Sequence, residues 1–229
     1  MAETIVFCVP GKTFSHNFMR SWTDTIIECR KKDINFLVSW AIGANVYQVR
    51  NYCLNGNPGL GPNQKPFQGQ IKYDYLMWFD SDQVWGVKDF FILLDTMRKN
   101  TAIQMLTGVY SMVAEGEASL TTICKLTKGE HGLITNQLLT VADVNALPPL
   151  AKVDAAGLGF CMMRSGVIET LEYPWFRPVF ITDKRTGKEV YFLAEDVSLF
   201  INLKEKNIDL ICASKVRVGH EKDKIYYVK

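Results

Sequence analysis

The chain of 229 residues is 48% hydrophobic and 22% charged, with 26 Lys and Arg against 24 Asp and Glu. That balance excludes a disordered tail, a collagen-like fibre and a simple coiled coil, and the length suits one domain with a full core. A formal net charge of +2 supplies no concentrated basic face, so no nucleic-acid partner is expected.

Residues 4–9 (TIVFCV) are a β-rich apolar run stopped by Pro10-Gly11 and read as a first buried strand. From Ser15 the period becomes helical, with Phe18, Trp22, Ile26 and Ile27 on one face and basic residues at 30–32 closing it. Residues 34–40 form a second strand, and Asn45 caps a helix through VYQVRNYCL that Asn55-Gly56 ends. The Gly- and Pro-rich residues 55–70 read as a surface loop or as a mobile lid near a ligand. Their Gly59-x-Gly61 pair lacks the third glycine and the strand–turn–helix setting of a dinucleotide fingerprint.

A strongly apolar strand at 75–79 then runs into Asp80-Ser81-Asp82. A helix follows with Val87, Phe90, Phe91, Leu94 and Met97 on one stripe, and a strand over 102–110 completes the unit. Segment 111–150 is more polar and less periodic, and is expected to hold antiparallel strands or an inserted excursion. Beyond it lie a strand over 155–164, a short helix over 165–173 and a loop over 171–190 with a turn at Thr186-Gly187. An amphipathic helix over 195–207, a strand over 208–214 and an extended piece over 216–220 follow. Alternating strands and helices predict an α/β domain spanning 1–229 with parallel pairing and right-handed crossovers.

The six cysteines form no CxxC pair and mostly sit in apolar stretches, which predicts a reduced, intracellular protein. The start of the chain lacks the basic opening and long apolar region of a signal peptide. No segment approaches the roughly 20 apolar residues of a membrane span. A cytoplasmic protein without a transmembrane segment is the expectation.

The residues with most chemistry are Asp80, Ser81 and Asp82. In open α/β sheets ligands collect at the carboxyl ends of strands. Two carboxylates one residue apart there can hold a divalent cation and its phosphate together, although Asp and Ser also simply favour turns. Glu195 and Asp196 open a helix, where carboxylates also serve the positive end of its dipole. His220 carries an imidazole suited, with carboxylates, to a Mn²⁺-type ion, yet a lone His is often only solvated. Trp175 and Phe176 could stack on a sugar face or pack in the core.

The order IVFCVP, VYQVRNYCL, YLMWFDSDQ, AAGLGFCMMR, FLAEDVSLFINLKEKN and VGH resembles glycosyltransferases of the GT-A fold, the nucleotide-sugar-dependent kind also found in large viruses and phages. The resemblance spans nearly the whole chain. It implies a GT-A-like single domain with a Rossmann-like, mostly parallel central sheet and a smaller antiparallel part. It further implies transfer of a sugar from a UDP- or GDP-sugar donor to a hydroxyl of a glycan or other acceptor, with Mn²⁺ or Mg²⁺ as cofactor. On this reading Val9, Pro10, Gly11, Arg50, Asp80, Ser81 and Asp82 bind the donor. Gly157, Leu158 and Gly159 form the wall under its sugar. Asp80, Asp82 and His220 hold the metal. Asp196, beside Glu195, is the base of an inverting reaction; Glu195 is the substitute if Asp196 is not. If the enzyme is viral, the location implied is the host cytoplasm. The match departs at 111–150 and 172–190, where acceptors are usually chosen. Two other readings remain: a sugar-phosphate nucleotidyltransferase, whose Gly-rich first loop is reduced here to VPGKTFSH, and a noncatalytic carbohydrate-binding or virion domain.

Overall fold

In the computed structural model, which describes residues 3–112, 118–222 and 225–226, the first strand is apolar on both sides because both its faces are covered. Its alternate residues enter two separate cores, Ile5, Phe7 and Val9 on one side and Val6 and Cys8 on the other. That is the pattern of a strand inside a parallel sheet with helices on both faces.

The strands, in chain order, are β1 (Thr4–Pro10), β2 (Asn35–Ala41), β3 (Tyr75–Phe79), β4 (Gln83–Val84), β5 (Met105–Val109), β6 (Leu120–Lys128) and β7 (Ile134–Thr140). They continue as β8 (Leu150–Val153), β9 (Phe160–Arg164), β10 (Phe180–Asp183), β11 (Lys188–Phe192), β12 (Leu210–Arg217), β13 (Gly219–Glu221) and β14 (Ile225–Tyr226). The helices are α1 (His16–Lys31), α2 (Val46–Cys53), α3 (Val87–Lys99), α4 (Val141–Asn145) and α5 (Glu195–Lys204). The seven-stranded sheet has the order β2-β1-β3-β9-β5-β12-β8. Strands β1, β2, β3, β5 and β12 run one way, and β8 and β9 oppose them. Small antiparallel sheets β6–β7, β10–β11 and β14-β13-β4 flank it. The fold is α/β and GT-A-like.

Helices α1 and α3 cover one face through Phe18, Trp22, Phe90, Leu94 and Met97, and α2 and α5 cover the other through Cys53, Leu199, Phe200 and Leu203. The cap expected at Asn45 is in place, and the structure adds one at Ser15. Ser15 Oγ accepts the Phe18 N–H at 3.0 Å, and Asn45 Oδ1 accepts that of Gln48 at 3.0 Å. All six cysteines are free and buried. Among the described residues no helix is long and apolar enough to cross a membrane.

Several segments differ from expectation. The expected 171–190 loop gives way to the β10–β11 hairpin, which runs on to Phe192; the fully exposed pattern of β11 hid it from a search for alternation. The helix expected over 165–173 is one 3₁₀ turn, Ile168–Thr170. The 111–150 segment does hold an antiparallel pair, β6–β7, with residues 113–117 outside the described residues. Residues 55–70 line no part of the cleft at the carboxyl ends of β1 and β3. Phe67 is buried edge-on against Tyr73, at the amino end of β3 and away from the carboxyl-end cleft. Trp175 and Phe176 are 1% and 0% exposed, so they are core residues and offer no sugar platform.

Candidate functional site

At the carboxyl ends of β1 and β3 lies a cleft of about 350 Å³ lined by Pro10, Gly11 and Lys12, by Ile42, Val46, Val49 and Arg50, and by Asp80, Ser81 and Asp82. The sheet dictates its place, since both strands end there side by side. Met77, Trp78 and Phe79, fully buried, anchor the strand that delivers the acidic turn. Each such side chain contributes about 1.5–3 kcal/mol by burial. Gly11 meets that turn so closely that a Cβ on it would lie 2.5 Å from the Ser81 Cβ. Val9, expected to bind the donor, is instead fully buried in the core and does not line the cleft.

Arg50 joins three of the elements. Its terminal nitrogens donate to both Asp80 oxygens at 3.0 Å each, and its Nε–H donates to Glu195 Oε1 at 3.0 Å. It lies 5.4 Å from the centre of the Trp78 ring and is 3% exposed. Burial opposes the charge, but Asp80 and Glu195 outweigh it and raise the guanidinium's already high pKa. Arg50 therefore lies at the cleft with its charge committed to two carboxylates.

Asp82 is served from the other side. Strand β13 pairs with β4, placing His220 opposite Gln83, and the Glu221 N–H donates to the Asp82 carbonyl at 2.7 Å. Asp82 Oδ2 faces His220 Nε2 at 3.2 Å and accepts from Lys222 Nζ at 2.6 Å. Burial alone would raise the Asp82 pKa; hydrogen bonds from His220 and Lys222 hold it down at about 2. His220 Nδ1 lies 2.9 Å from the Ser111 carbonyl oxygen, and Nε2 is the nitrogen directed at Asp82.

Asp196 has no cation within salt-bridge distance among the described residues. Its Oδ1 accepts the Val197 N–H at 2.7 Å. Burial, reinforced by the neighbouring Glu195, pushes its pKa up to about 6. The Tyr47 phenol, which donates to the Leu193 carbonyl at 3.1 Å, is close enough that burial, Glu195 and Asp196 all raise its pKa.

The Gly157-Leu158-Gly159 segment lies behind Asp80. The Gly159 carbonyl accepts the Asp80 N–H at 3.0 Å, and the Gly159 N–H donates to Tyr110 Oη at 3.1 Å. A Cβ on Gly157 would collide with the Tyr110 hydroxyl, and one on Gly159 would lie 2.9 Å from both Tyr110 Oη and Gln83 Nε2. Leu158 is fully buried. Only glycine lets this segment approach Tyr110 so closely.

The fold thus brings Arg50, Asp80, Asp82, Glu195, Asp196 and His220 to one end of the sheet. Sequence reasoning missed Lys222, Lys12, Tyr47 and Tyr110. Lys222 could have been found from its position two residues beyond His220; Tyr47 and Tyr110 carry no local signal.

No protein-family model matches the chain, and no curated protein matches it significantly. Among solved structures, the crystal structure of A197 from STIV is similar with a TM-score of 0.58 at 17% identity, over 96% of this chain and 86% of that one. A CMP:2-keto-3-deoxy-manno-octonic acid synthetase complexed with CTP aligns over 92% of this chain and 88% of its own, at 9% identity and a TM-score of 0.43. At these identities the likeness to A197 concerns the fold, and the second alignment is too loose to carry an argument.

Proposed function

We propose that the chain is a metal-dependent, inverting glycosyltransferase that moves a sugar from a UDP- or GDP-sugar to a hydroxyl of a glycan or similar acceptor. The observation that carries this reading is the unequal treatment of four neighbouring carboxylates. Asp80 and Glu195 are neutralised by Arg50, Asp82 is held by His220 and Lys222, and Asp196 alone of the four has no paired cation among the described residues and has its pKa pushed up to about 6. A carboxylate poised near neutrality suits a general base.

The residues present fit a divalent ion in part. Among the described residues no group of three or more His, Cys, Asp or Glu side chains forms a closed cage. Asp82 and His220 do offer one oxygen and one nitrogen side by side, which suits Mn²⁺ or Mg²⁺ whose remaining positions belong to phosphate oxygens and water. Asp80 can join them only when its pair with Arg50 opens. When bound, the ion would act as a Lewis acid on the leaving diphosphate.

In this reading Pro10, Ile42, Val46 and Val49 form the apolar wall for the base, and Gly11, Lys12 and Ser81 lie beside the phosphates. Gly157, Leu158 and Gly159 back the sugar. Asp196 takes the proton from the acceptor hydroxyl as that oxygen bonds to the anomeric carbon. The sugar–phosphate C–O bond breaks, and its electron pair leaves with the nucleoside diphosphate. Arg50 keeps Asp80 and Glu195 in place, and thereby the start of α5 that carries the base.

A panel of UDP- and GDP-sugars with Mn²⁺ tests the proposal through release of nucleoside diphosphate. Release should stop with EDTA and in Asp82→Asn. Pyrophosphate released from a nucleoside triphosphate and a sugar phosphate would instead assign nucleotidyl transfer.

A further inference from the structure

The Asp82 carboxylate is already occupied by a cation. Lys222 Nζ lies 2.6 Å from Oδ2, the same oxygen that faces His220 Nε2 at 3.2 Å. The backbone here is tied down: Glu221 donates its N–H to the Asp82 carbonyl, and its carboxylate accepts from Ser15 and Asn17. Strand β13 ends at Glu221, and Lys222, in the bend just beyond it, joins His220 on Asp82. The Lys222 side chain is 50% exposed, so its ammonium can leave Asp82 by turning its four-carbon stem while the strand stays put.

Building on the metal reading above, we infer that Lys222 stands in for the divalent ion at Asp82 and yields that position only when a diphosphate arrives to receive its ammonium. Two cations in contact with one carboxylate oxygen repel each other, so Lys222 must leave before a divalent ion can settle there. Away from Asp82, an unpaired ammonium gains most from a phosphate oxygen, with which it makes a charge-assisted hydrogen bond. Lys222 therefore weakens the binding of free metal and strengthens that of metal with diphosphate. It makes the two ligands bind cooperatively, and such coupling is reciprocal. The same movement brings a positive charge to the leaving group.

The test compares wild type with Lys222→Met by calorimetry, using Mn²⁺ alone and the preformed Mn²⁺–pyrophosphate complex. The variant should bind Mn²⁺ alone about ten-fold more tightly and the pyrophosphate complex about ten-fold more weakly, within the usual range of coupling between sites. Lys222→Arg, which keeps the charge, should follow wild type in the first titration. Opposite signs are the signature, because a merely structural lysine would move both affinities the same way. Unchanged affinities, or two that weaken together, overturn the inference while leaving the metal site standing, provided Asp82→Asn abolishes Mn²⁺ binding. If neither protein binds Mn²⁺ in either form, the metal reading falls and the inference with it.

Discussion

Asp196 differs from its neighbours in one respect: among the described residues no guanidinium or ammonium pairs with it, so burial and then Glu195 are the largest influences on its proton affinity. The native state holds the Asp196 proton up to about pH 6, whereas an ordinary carboxyl releases it near 3.8. The associated stability is fully present below about pH 4 and is lost as the pH rises through about 6. Above that the native state carries a poorly solvated charge, costing at most about 3 kcal/mol at 1.36 kcal/mol per unit. Asp196→Asn should therefore be more stable than wild type in urea at pH 8, by about 1–3 kcal/mol, and about equal to it at pH 4. The same substitution should lower transfer by about 10²-fold or more while sparing donor binding. Wild-type turnover should fall on the acid side near pH 6. An equal stability gain at both pH values would detach the effect from the carboxylate; retained transfer would move the base to Glu195 or to a retaining mechanism.

Between elements, Arg50 is the fastening that matters most. It sits in the last turn of α2 and binds the end of β3 through Asp80 and the first residue of α5 through Glu195. Arg50→Met would leave these two carboxylates without their guanidinium partner, and breaking a buried pair in this way costs about 3–5 kcal/mol. Lysine should not rescue it, because a single ammonium cannot reproduce three donors in a fixed fork. Urea unfolding of both variants measures this, and a loss under about 1 kcal/mol, the scale of an exposed pair, would show that the triad is not structural. The element most readily read from sequence was α2 itself, with Asn45 at its start and Asn55 at φ 57° just beyond its end. The least readable was the β10–β11 hairpin, because β11 is exposed along its whole length and such a strand has no periodic requirement on its side chains.

On the scale of the whole molecule, the cleft is built from the ends of β1 and β3 and from α2, with His220 and Lys222 reaching Asp82 on its edge. A ligand that bridges these segments binds the native state alone and must stabilise it. Mn²⁺ with the matching nucleoside diphosphate, at 100 times its dissociation constant, should add about 2.7 kcal/mol. For a chain of this size that raises Tm by about 2–4 °C per kcal/mol. The gain should shrink when EDTA replaces Mn²⁺. An undiminished shift in EDTA would remove the metal from donor binding.

The amino-acid sequence by itself determined the alternation of strands and helices, the cap that starts α2, and the acidic turn at the end of β3. All are local properties: side-chain period, capping chemistry and the stop imposed by polar residues after an apolar run. The tertiary structure alone decided which charge meets which. Arg50 reaches Asp80 across 30 residues and Glu195 across 145, while His220 and Lys222 reach Asp82 across 138 and 140. Those pairings depend on the order of strands in the sheet and on the β13–β4 register, which no periodicity within a single segment encodes. The elevated pKa of Asp196 is a tertiary property for the same reason, since it reflects where the cations of distant segments went.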